Sequence, residues 1–185
     1  MISLLFLLSA CPNEPAVAPV PTTRVNVVAP VARKGPDVDA FCESRGGQPF
    51  GWPQTDAPVV KSSGWTWINI WATWCKPCVA EMPMIVKWRE KLEAAGLEVA
   101  LEFLSVDAKV EDVTKYQALH PDIPKGARLK EVALLAPWLS TIGLDASAVL
   151  PVHLFVDPAG TIRCVRMGAL AEYDFDAVQA VVEGK

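Results

Sequence analysis

The chain has 185 residues with a formal net charge of −4, and 51% of its residues are hydrophobic. This length fits one domain with appendages, since a domain usually has roughly 100–200 residues. The net negative charge and the absence of any block of Lys or Arg exclude the basic footprint of a nucleic-acid-binding protein, so no nucleic-acid partner is expected.

The first ten residues, MISLLFLLSA, are almost wholly apolar and end in small residues directly before Cys11. This run is far shorter than the roughly 20 residues that a membrane-spanning helix needs. Leu8-Ser9-Ala10-Cys11 resembles the lipobox of bacterial lipoprotein signal peptides, which implies cleavage before Cys11 and lipid on its sulfur. No Lys or Arg precedes the run, so a plain cleaved signal and a buried apolar terminus remain alternatives. We predict a lipoprotein signal peptide over 1–10 and lipid attachment at Cys11.

Residues 11–36 differ in composition from the rest of the chain, being rich in Pro, Ala, Val and Thr with few large side chains. Such a segment buries too little apolar surface to fold by itself. We therefore predict an extended Pro-rich tether over 11–36 and a folded domain over 37–185.

Beyond the tether, apolar periodicity predicts alternating strands and helices. Strands are predicted at 65–72, at 97–107 and on both sides of the turn 157–160; helices are predicted at 77–95, 110–120 and 174–183, with a further helical stretch within 128–143, broken or restarted at Pro137. Pro83 should kink the first helix without ending it. The order βαβ…αββα predicts an α/β fold with a central mixed β-sheet flanked by helices on both faces.

A Cys-x-x-Cys pair, Cys75 and Cys78, lies where the first strand gives way to the first helix. The free N–H groups and the dipole at a helix N-terminus favour a thiolate, so Cys75 should be exposed, have a lowered pKa and act as the nucleophile, whereas Cys78 should be buried. Lys76 adds a positive charge beside it. Cys78, one turn further on, could attack a mixed disulfide on Cys75 and release the partner.

A metal site and a structural disulfide are the alternatives for this pair. A zinc site needs about four ligands, and the chain has no second Cys-x-x-Cys and only two histidines, His120 and His153. No metal is therefore expected. A structural disulfide would close only a two-residue loop, which constrains the unfolded chain little.

The stretch NIWATWCKPCVAEMP resembles the thioredoxin superfamily, and specifically the TlpA/ResA-type membrane-anchored thiol-disulfide oxidoreductases of the bacterial envelope. Their motif runs Asn-x-Trp-Ala-x-Trp-Cys-x-Pro-Cys-x-x-Glu-x-Pro, and a weaker likeness extends over about 40–183. The resemblance implies a thioredoxin-like fold and exchange with protein disulfides by the cysteine pair, with no cofactor. It also implies that the protein acts as a reductase, with a role in cytochrome c maturation and with a membrane thiol as electron donor. The same resemblance implies a location on the extracytoplasmic or periplasmic side of the envelope.

The same resemblance implies residue roles around the cysteine pair. Pro151 would be a cis-proline beside an incoming peptide, with Leu150 and the exposed Trp74 completing the substrate contact. The family usually carries small or hydroxylated residues around this proline, so Leu150 and the following Val152-His153 put the choice of substrate in doubt. We expect His153 either to fill a half-buried strand position or to contact substrate.

Glu81 is the predicted proton-handling group. It follows Cys78 by three residues, a spacing that puts both side chains on one helix face. A buried carboxylate there could take or hold the proton of Cys78; alternatively, Glu81 only favours the early turns of the helix. Asn69 occupies the strand position where thioredoxins proper carry a buried Asp.

The two remaining cysteines, Cys42 and Cys164, are predicted to form a structural disulfide. In an exported chain with Cys11 lipidated and Cys75–Cys78 catalytic, an exposed unpaired thiol would be a liability. The bridge would attach the segment that enters the domain to the last hairpin strand. The alternative is that both are small buried hydrophobes.

Two other functions remain open on the sequence alone. A thioredoxin-fold binding or chaperone module would use the groove without turnover, and an envelope metal carrier would use the thiols as ligands. The intact Cys-x-x-Cys argues against the first, and the small number of ligands argues against the second.

Overall fold

A computed structural model describes residues 36–59, 62–145 and 147–185. The predicted signal peptide at 1–10, the lipid-bearing Cys11 and nearly all of the tether at 11–36 lie outside the described residues. In the part that is described, no helix is both long enough and apolar enough to cross a lipid bilayer.

The described residues form four strands and five α-helical segments. The strands are β1 Trp65–Trp71, β2 Val99–Ser105, β3 Val152–Val156 and β4 Ile162–Met167. The helices are α1 Val38–Phe41, α2 Lys76–Ala94, α3 Val110–Leu119, α4 Leu135–Thr141 and α5 Phe175–Val182, with single 3-10 turns at Val132–Leu134 and Glu172–Asp174. The predicted strands and main helices are thus confirmed, with ends that differ by a few residues.

The strands form one mixed sheet in the order β2-β1-β3-β4. β1 and β2 are parallel and are joined through α2, whereas β3 runs antiparallel to both β1 and β4. The predicted mixed sheet with an antiparallel hairpin at its edge is therefore confirmed. The pairing of Ile70 with Val152 brings the end of β1 next to the start of β3.

The two central strands are buried on both faces. Along β1, Trp67 and Asn69 point to one face while Ile68 and Ile70 point to the other, and all four are fully buried. Trp67 contacts Trp88 of α2, and Trp88 contacts Phe175 of α5. Because the opposite face is equally buried, the sheet lies between two covering layers, as predicted.

Two prolines are accommodated inside helices. α2 continues through Pro83 to Ala94, as predicted. The predicted break at Pro137 is wrong, because α4 begins at Leu135 and includes this proline in its first turn. A proline there costs no intrahelical hydrogen bond, since the first N–H groups of a helix have no partner within it.

A segment before β1 covers the outer edge of β4, as the predicted Cys42–Cys164 bridge implies, and backbone hydrogen bonds that the sequence pattern does not predict hold it there. Gly47 N donates to Ile162 O at 2.7 Å and Ile162 N donates to Gln48 O at 3.0 Å. Gly46 has a positive φ of 61°, and a Cβ there would clash with the Ile162 carbonyl. A glycine is therefore required at this position for the segment to reach the strand.

Candidate active site

The cysteine pair lies at the N-terminus of α2. Cys75 is the N-cap residue, Pro77 lies in the first turn, and Cys75 is bonded to Cys78 with Cα atoms 5.3 Å apart. The Cys78 N–H points at Cys75 Sγ at 3.3 Å. The positive end of the helix dipole is thus directed at the first sulfur, the arrangement that stabilises a thiolate when the bond is reduced.

The two cysteines differ in exposure less than the sequence predicts. Cys78 is fully buried, as expected, but Cys75 has only 6% of its surface exposed. The expectation of an exposed Cys75 is therefore wrong for the disulfide form. The physical reason is that its sulfur turns towards the first turn of the helix and bonds to Cys78 there.

The predicted substrate-contact residues lie at this end of the sheet. Trp74 is 68% exposed. The Leu150–Pro151 bond is cis, as the resemblance implies. Because β3 starts at Val152 opposite Ile70, Pro151 lies at the end of β1 from which the chain continues to Cys75.

Glu81 is buried on the same face of α2 as Cys78. Its carboxylate accepts hydrogen bonds from two directions: Asn69 Nδ2 donates to Oε1 at 2.9 Å and Leu170 N donates to Oε2 at 2.7 Å. His153 Nε2 lies 3.2 Å from Oε1, although the ring N–H is not aligned well enough on that oxygen to count as a hydrogen bond. A carboxylate below the disulfide is thus fixed by β1, β3 and the loop after β4.

His153 lies in the interior and not at the substrate surface. It is fully buried, and its Nδ1 lies 3.2 Å from the Trp67 Nε1–H donor and 3.4 Å from Asn69 Nδ2. The hypotheses that His153 contacts substrate or is half-buried are therefore wrong. The strand pattern does not show its partners, because they depend on the register that pairs His153 with Asn69.

Asp107 is a further residue that the sequence reasoning missed. Its buried carboxylate accepts from Thr73 N at 2.9 Å, Thr73 Oγ1 at 2.7 Å and Ser105 Oγ at 2.7 Å. It thereby joins the end of β2 to the loop that carries Cys75. An acidic residue directly after a buried strand was the only signal for this in the sequence.

The other two cysteines are joined as well. Cys42 and Cys164 form a disulfide with Cα atoms 5.4 Å apart, within the usual range. Both are buried. This bond joins the segment after α1 to β4, where Cys164 pairs with Phe155 of β3.

The residues that the structure describes contain no group of three or more His, Cys, Asp or Glu side chains that could hold a metal ion. Glu81 and His153 do lie together, but their neighbours Asn69 and Trp67 turn N–H groups towards them. Those N–H donors cannot coordinate a cation.

Comparison with known proteins gives relatives described as thiol-disulfide oxidoreductases. No family model matches the chain. It is 29% identical over 107 residues to the thiol-disulfide oxidoreductase ResA of Oceanobacillus iheyensis, covering 56% of this chain and 49% of the relative. It is 30% identical over 106 residues to ResA of Bacillus thuringiensis, covering 56% and 54%. The chain thus spans about half the length of these relatives.

Among solved structures, a putative thiol:disulfide interchange protein DsbE from Chlorobium tepidum superposes with a TM-score of 0.53 at 22% identity, covering 75% of this chain and 94% of that one. This similarity shows the fold. The chain thus has an α/β thioredoxin-like fold. Its sequence is similar to the thiol-disulfide oxidoreductases of the ResA type.

Proposed function

We propose that the chain is an envelope thiol-disulfide oxidoreductase that acts on protein disulfides through its Cys-Lys-Pro-Cys dithiol. The observation that carries the proposal is the Cys75–Cys78 disulfide, whose first sulfur caps the N-terminus of α2. The ResA similarity supports the same reaction. No organic or metal cofactor is required, because the dithiol itself carries the two electrons.

In the reductase direction, the Cys75 thiolate attacks one sulfur of a substrate disulfide, and the other substrate sulfur leaves as a thiolate. Cys78 then loses its proton and attacks Cys75 Sγ, which breaks the mixed disulfide and releases the second substrate thiol. Two electrons pass to the substrate and the enzyme is left with the Cys75–Cys78 bond. A membrane thiol donor would return two electrons to this bond, which leaves Cys75 as a thiolate again and Cys78 as a thiol once it regains its single proton.

Glu81 serves as the proton-handling group of the second step. Cys78 is fully buried, so its proton has no direct route to solvent when its sulfur attacks. Glu81 follows it by one helical turn on the same face and its carboxylate is held by fixed donors. A carboxylate in this position accepts the proton of Cys78 and returns it when the dithiol is reduced again.

Trp74, Leu150 and Pro151 form the proposed substrate contact. The exposed Trp74 supplies an apolar surface beside Cys75, and the backbone before Pro151 would pair with an extended substrate segment, as the resemblance implies. Trp74 and Val149 are each 68% exposed. An apolar segment flanking the substrate cysteine would therefore bury the most surface here.

The same proposal has four further parts: a lipid anchor at Cys11, an extracytoplasmic location, the reductase direction and a role in cytochrome c maturation. They are supported by the lipobox-like sequence before Cys11 and by the similarity to ResA. Replacing Cys11 with Ala should move the protein from the membrane fraction to the soluble fraction of its host.

The test is reduction of insulin by dithiothreitol, with Cys75→Ser as the control. Wild type should accelerate precipitation of the insulin chains, Cys75→Ser should not, and Cys78→Ser should accumulate a mixed disulfide with substrate. If wild type is no faster than Cys75→Ser, the chain is a binding module and the proposal fails. A reduction potential above about −150 mV would make it an oxidase and not a reductase.

A further inference from the structure

The side chain of His153 lies between a donor that fixes it and a carboxylate that the exchange reaction uses. Trp67 Nε1 lies 3.2 Å from Nδ1, and Glu81 Oε1 lies 3.2 Å from Nε2. All three side chains are buried. Nδ1 therefore faces N–H donors, Trp67 Nε1 and, at 3.4 Å, Asn69 Nδ2, whereas Nε2 faces a carboxylate oxygen.

The Trp67 contact determines which nitrogen carries the proton. The indole N–H can only donate, so Nδ1 must accept and cannot carry a hydrogen. A neutral imidazole then has its single proton on Nε2, the nitrogen that faces Glu81. A doubly protonated ring would turn two N–H groups towards each other at Nδ1, which makes the cationic form unfavourable in this position.

The remaining groups around the pair do not alter this assignment. From α2, Glu81 and Cys78 are the titratable groups on the facing side. From β1, only the neutral Asn69 and Trp67 approach. On β4, Arg166 stands opposite His153 in register, but its guanidinium pairs with Glu43 at 3.0 Å. The loop after β4 contributes the backbone N–H of Leu170.

We propose that His153 is a positioning residue for thiol-disulfide exchange: its neutral Nε2–H imidazole, fixed by Trp67, holds Glu81 in its carboxylate form below Cys78. The inference rests on the proposed function, because it acts through the proton that Glu81 takes from Cys78. The Nε2–H dipole stabilises the ionised carboxylate more than the protonated one. Glu81 is thereby kept ready to accept the proton of Cys78.

The imidazole itself does not carry the proton away. Nε2 already carries the ring proton and Nδ1 accepts the Trp67 N–H, so the neutral ring has no free nitrogen for the proton of Cys78. That proton therefore moves to Glu81 as Cys78 attacks, and Glu81 supplies a proton to Cys78 on reduction.

The first test is direct observation of the ring by NMR of protein labelled with 15N-histidine. The chain has two histidines, and His153 is assigned by loss of its signals in His153→Gln, with the exposed His120 as the internal reference. At pH 7 His153 should show the neutral Nε2–H tautomer, in wild type and in Glu81→Gln alike. A proton on Nδ1 would overturn the inference.

The second test is the pH dependence of the redox equilibrium between protein and dithiothreitol. Wild type should show an inflection that Glu81→Gln removes, since that inflection reports the proton on Glu81. In His153→Leu, which has no donor, the inflection should move about one unit to higher pH. His153→Gln can both accept from Trp67 and donate to Glu81, so it should restore most of the wild-type behaviour.

His120→Gln is the matched control, because it removes the surface histidine and should leave the inflection unchanged. An inflection in His153→Leu that coincides with wild type would overturn the inference, as would a wild type with no inflection. If His153→Leu does not fold, the inference is tested by the NMR tautomer of wild type and by the position of the inflection in His153→Gln.

The insulin assay separates this inference from the proposed function. An active wild type that lacks the inflection overturns the role of His153 and leaves the oxidoreductase intact. A wild type that shows the inflection and the Nε2–H tautomer, but does not reduce insulin, supports the His153–Glu81 pairing and overturns the proposed oxidoreductase function.

Discussion

Asn69 Nδ2 donates a hydrogen bond of 2.9 Å to Glu81 Oε1, although Asn69 is in β1 and Glu81 is in α2. An amide in the strand thus faces an acid in the helix, and the two occupy one buried polar site. The Asn69 Oδ1 atom has no hydrogen-bond partner among the described residues, whereas Nδ2 also lies 3.4 Å from His153 Nδ1. An acid at position 69 would place two carboxylates at hydrogen-bond distance.

Asn69→Asp should therefore destabilise the protein at neutral pH. Two buried carboxylates in contact cannot both ionise, so the folded site binds a proton that the unfolded chain does not. A group that binds its proton more tightly in the folded state loses stability as pH rises. We expect a loss of about 3 kcal/mol at pH 7, which shrinks below about pH 4, where the unfolded Asp is protonated as well.

Urea unfolding of Asn69→Asp and wild type at pH 7 and pH 4 measures this difference. Asn69→Ser is the control, because it removes the amide without adding a charge. Equal stability losses at both pH values would show that position 69 does not share a site with Glu81.

Alkylation of the reduced protein should label Cys75 before Cys78. Cys75 caps the helix and has some surface, whereas Cys78 is fully buried, and a thiolate at a helix N-terminus is both stabilised and accessible. The rate of iodoacetamide labelling against pH, read by mass spectrometry of each cysteine, should show a midpoint for Cys75 below the pKa of about 8.5 of a free thiol. Faster labelling of Cys78 at pH 7 would reverse the proposed roles.

Asp107→Asn should slow exchange even though Asp107 is outside the Cys-x-x-Cys motif. The carboxylate accepts both the N–H and the hydroxyl of Thr73, and Thr73 is two residues before Cys75. Loss of the charged acceptor should reduce stability by about 1.5–3 kcal/mol and loosen the loop, so the rate of insulin reduction should fall below that of the control. Ser105→Ala is the matched control, because it removes the hydroxyl that donates to the Asp107 carboxylate and accepts the Asp107 N–H but leaves both Thr73 contacts in place. Equal rates for the two variants would limit Asp107 to a structural role.

The sequence predicts the sheet and the cysteine site well because their signals are local. A β-rich apolar run before a Cys-x-x-Cys, and a helical pattern after it, are read within about twenty residues. The Trp67–His153–Glu81 contacts are not local, since His153 and Trp67 are 86 residues apart. They depend on the register of β3 against β1, which no single segment encodes. The cysteines predict that the segment over β4 is attached to that strand, but not its backbone pairing, which consists of isolated contacts and not of a periodic pattern.

The Cys42–Cys164 bond should be a major contributor to stability and have no part in exchange. It joins residues 122 apart in sequence, and closing so long a loop restricts the unfolded chain by about 4–5 kcal/mol in the chain-entropy model. The bond also holds the segment that covers the β4 edge, which is further attached by backbone hydrogen bonds and by contacts of the Glu43 carboxylate with Arg166 and Met167. Cys42→Ser with Cys164→Ser should therefore unfold at lower urea concentration, with a loss of at most about 5 kcal/mol.

The same double variant should retain wild-type insulin reduction below its unfolding transition, because Cys75 and Cys78 are untouched. Mass spectrometry of a non-reduced digest checks the bond itself, and two free thiols in protein isolated from the envelope would contradict it. A double variant that is fully stable but inactive would mean instead that this disulfide takes part in the reaction.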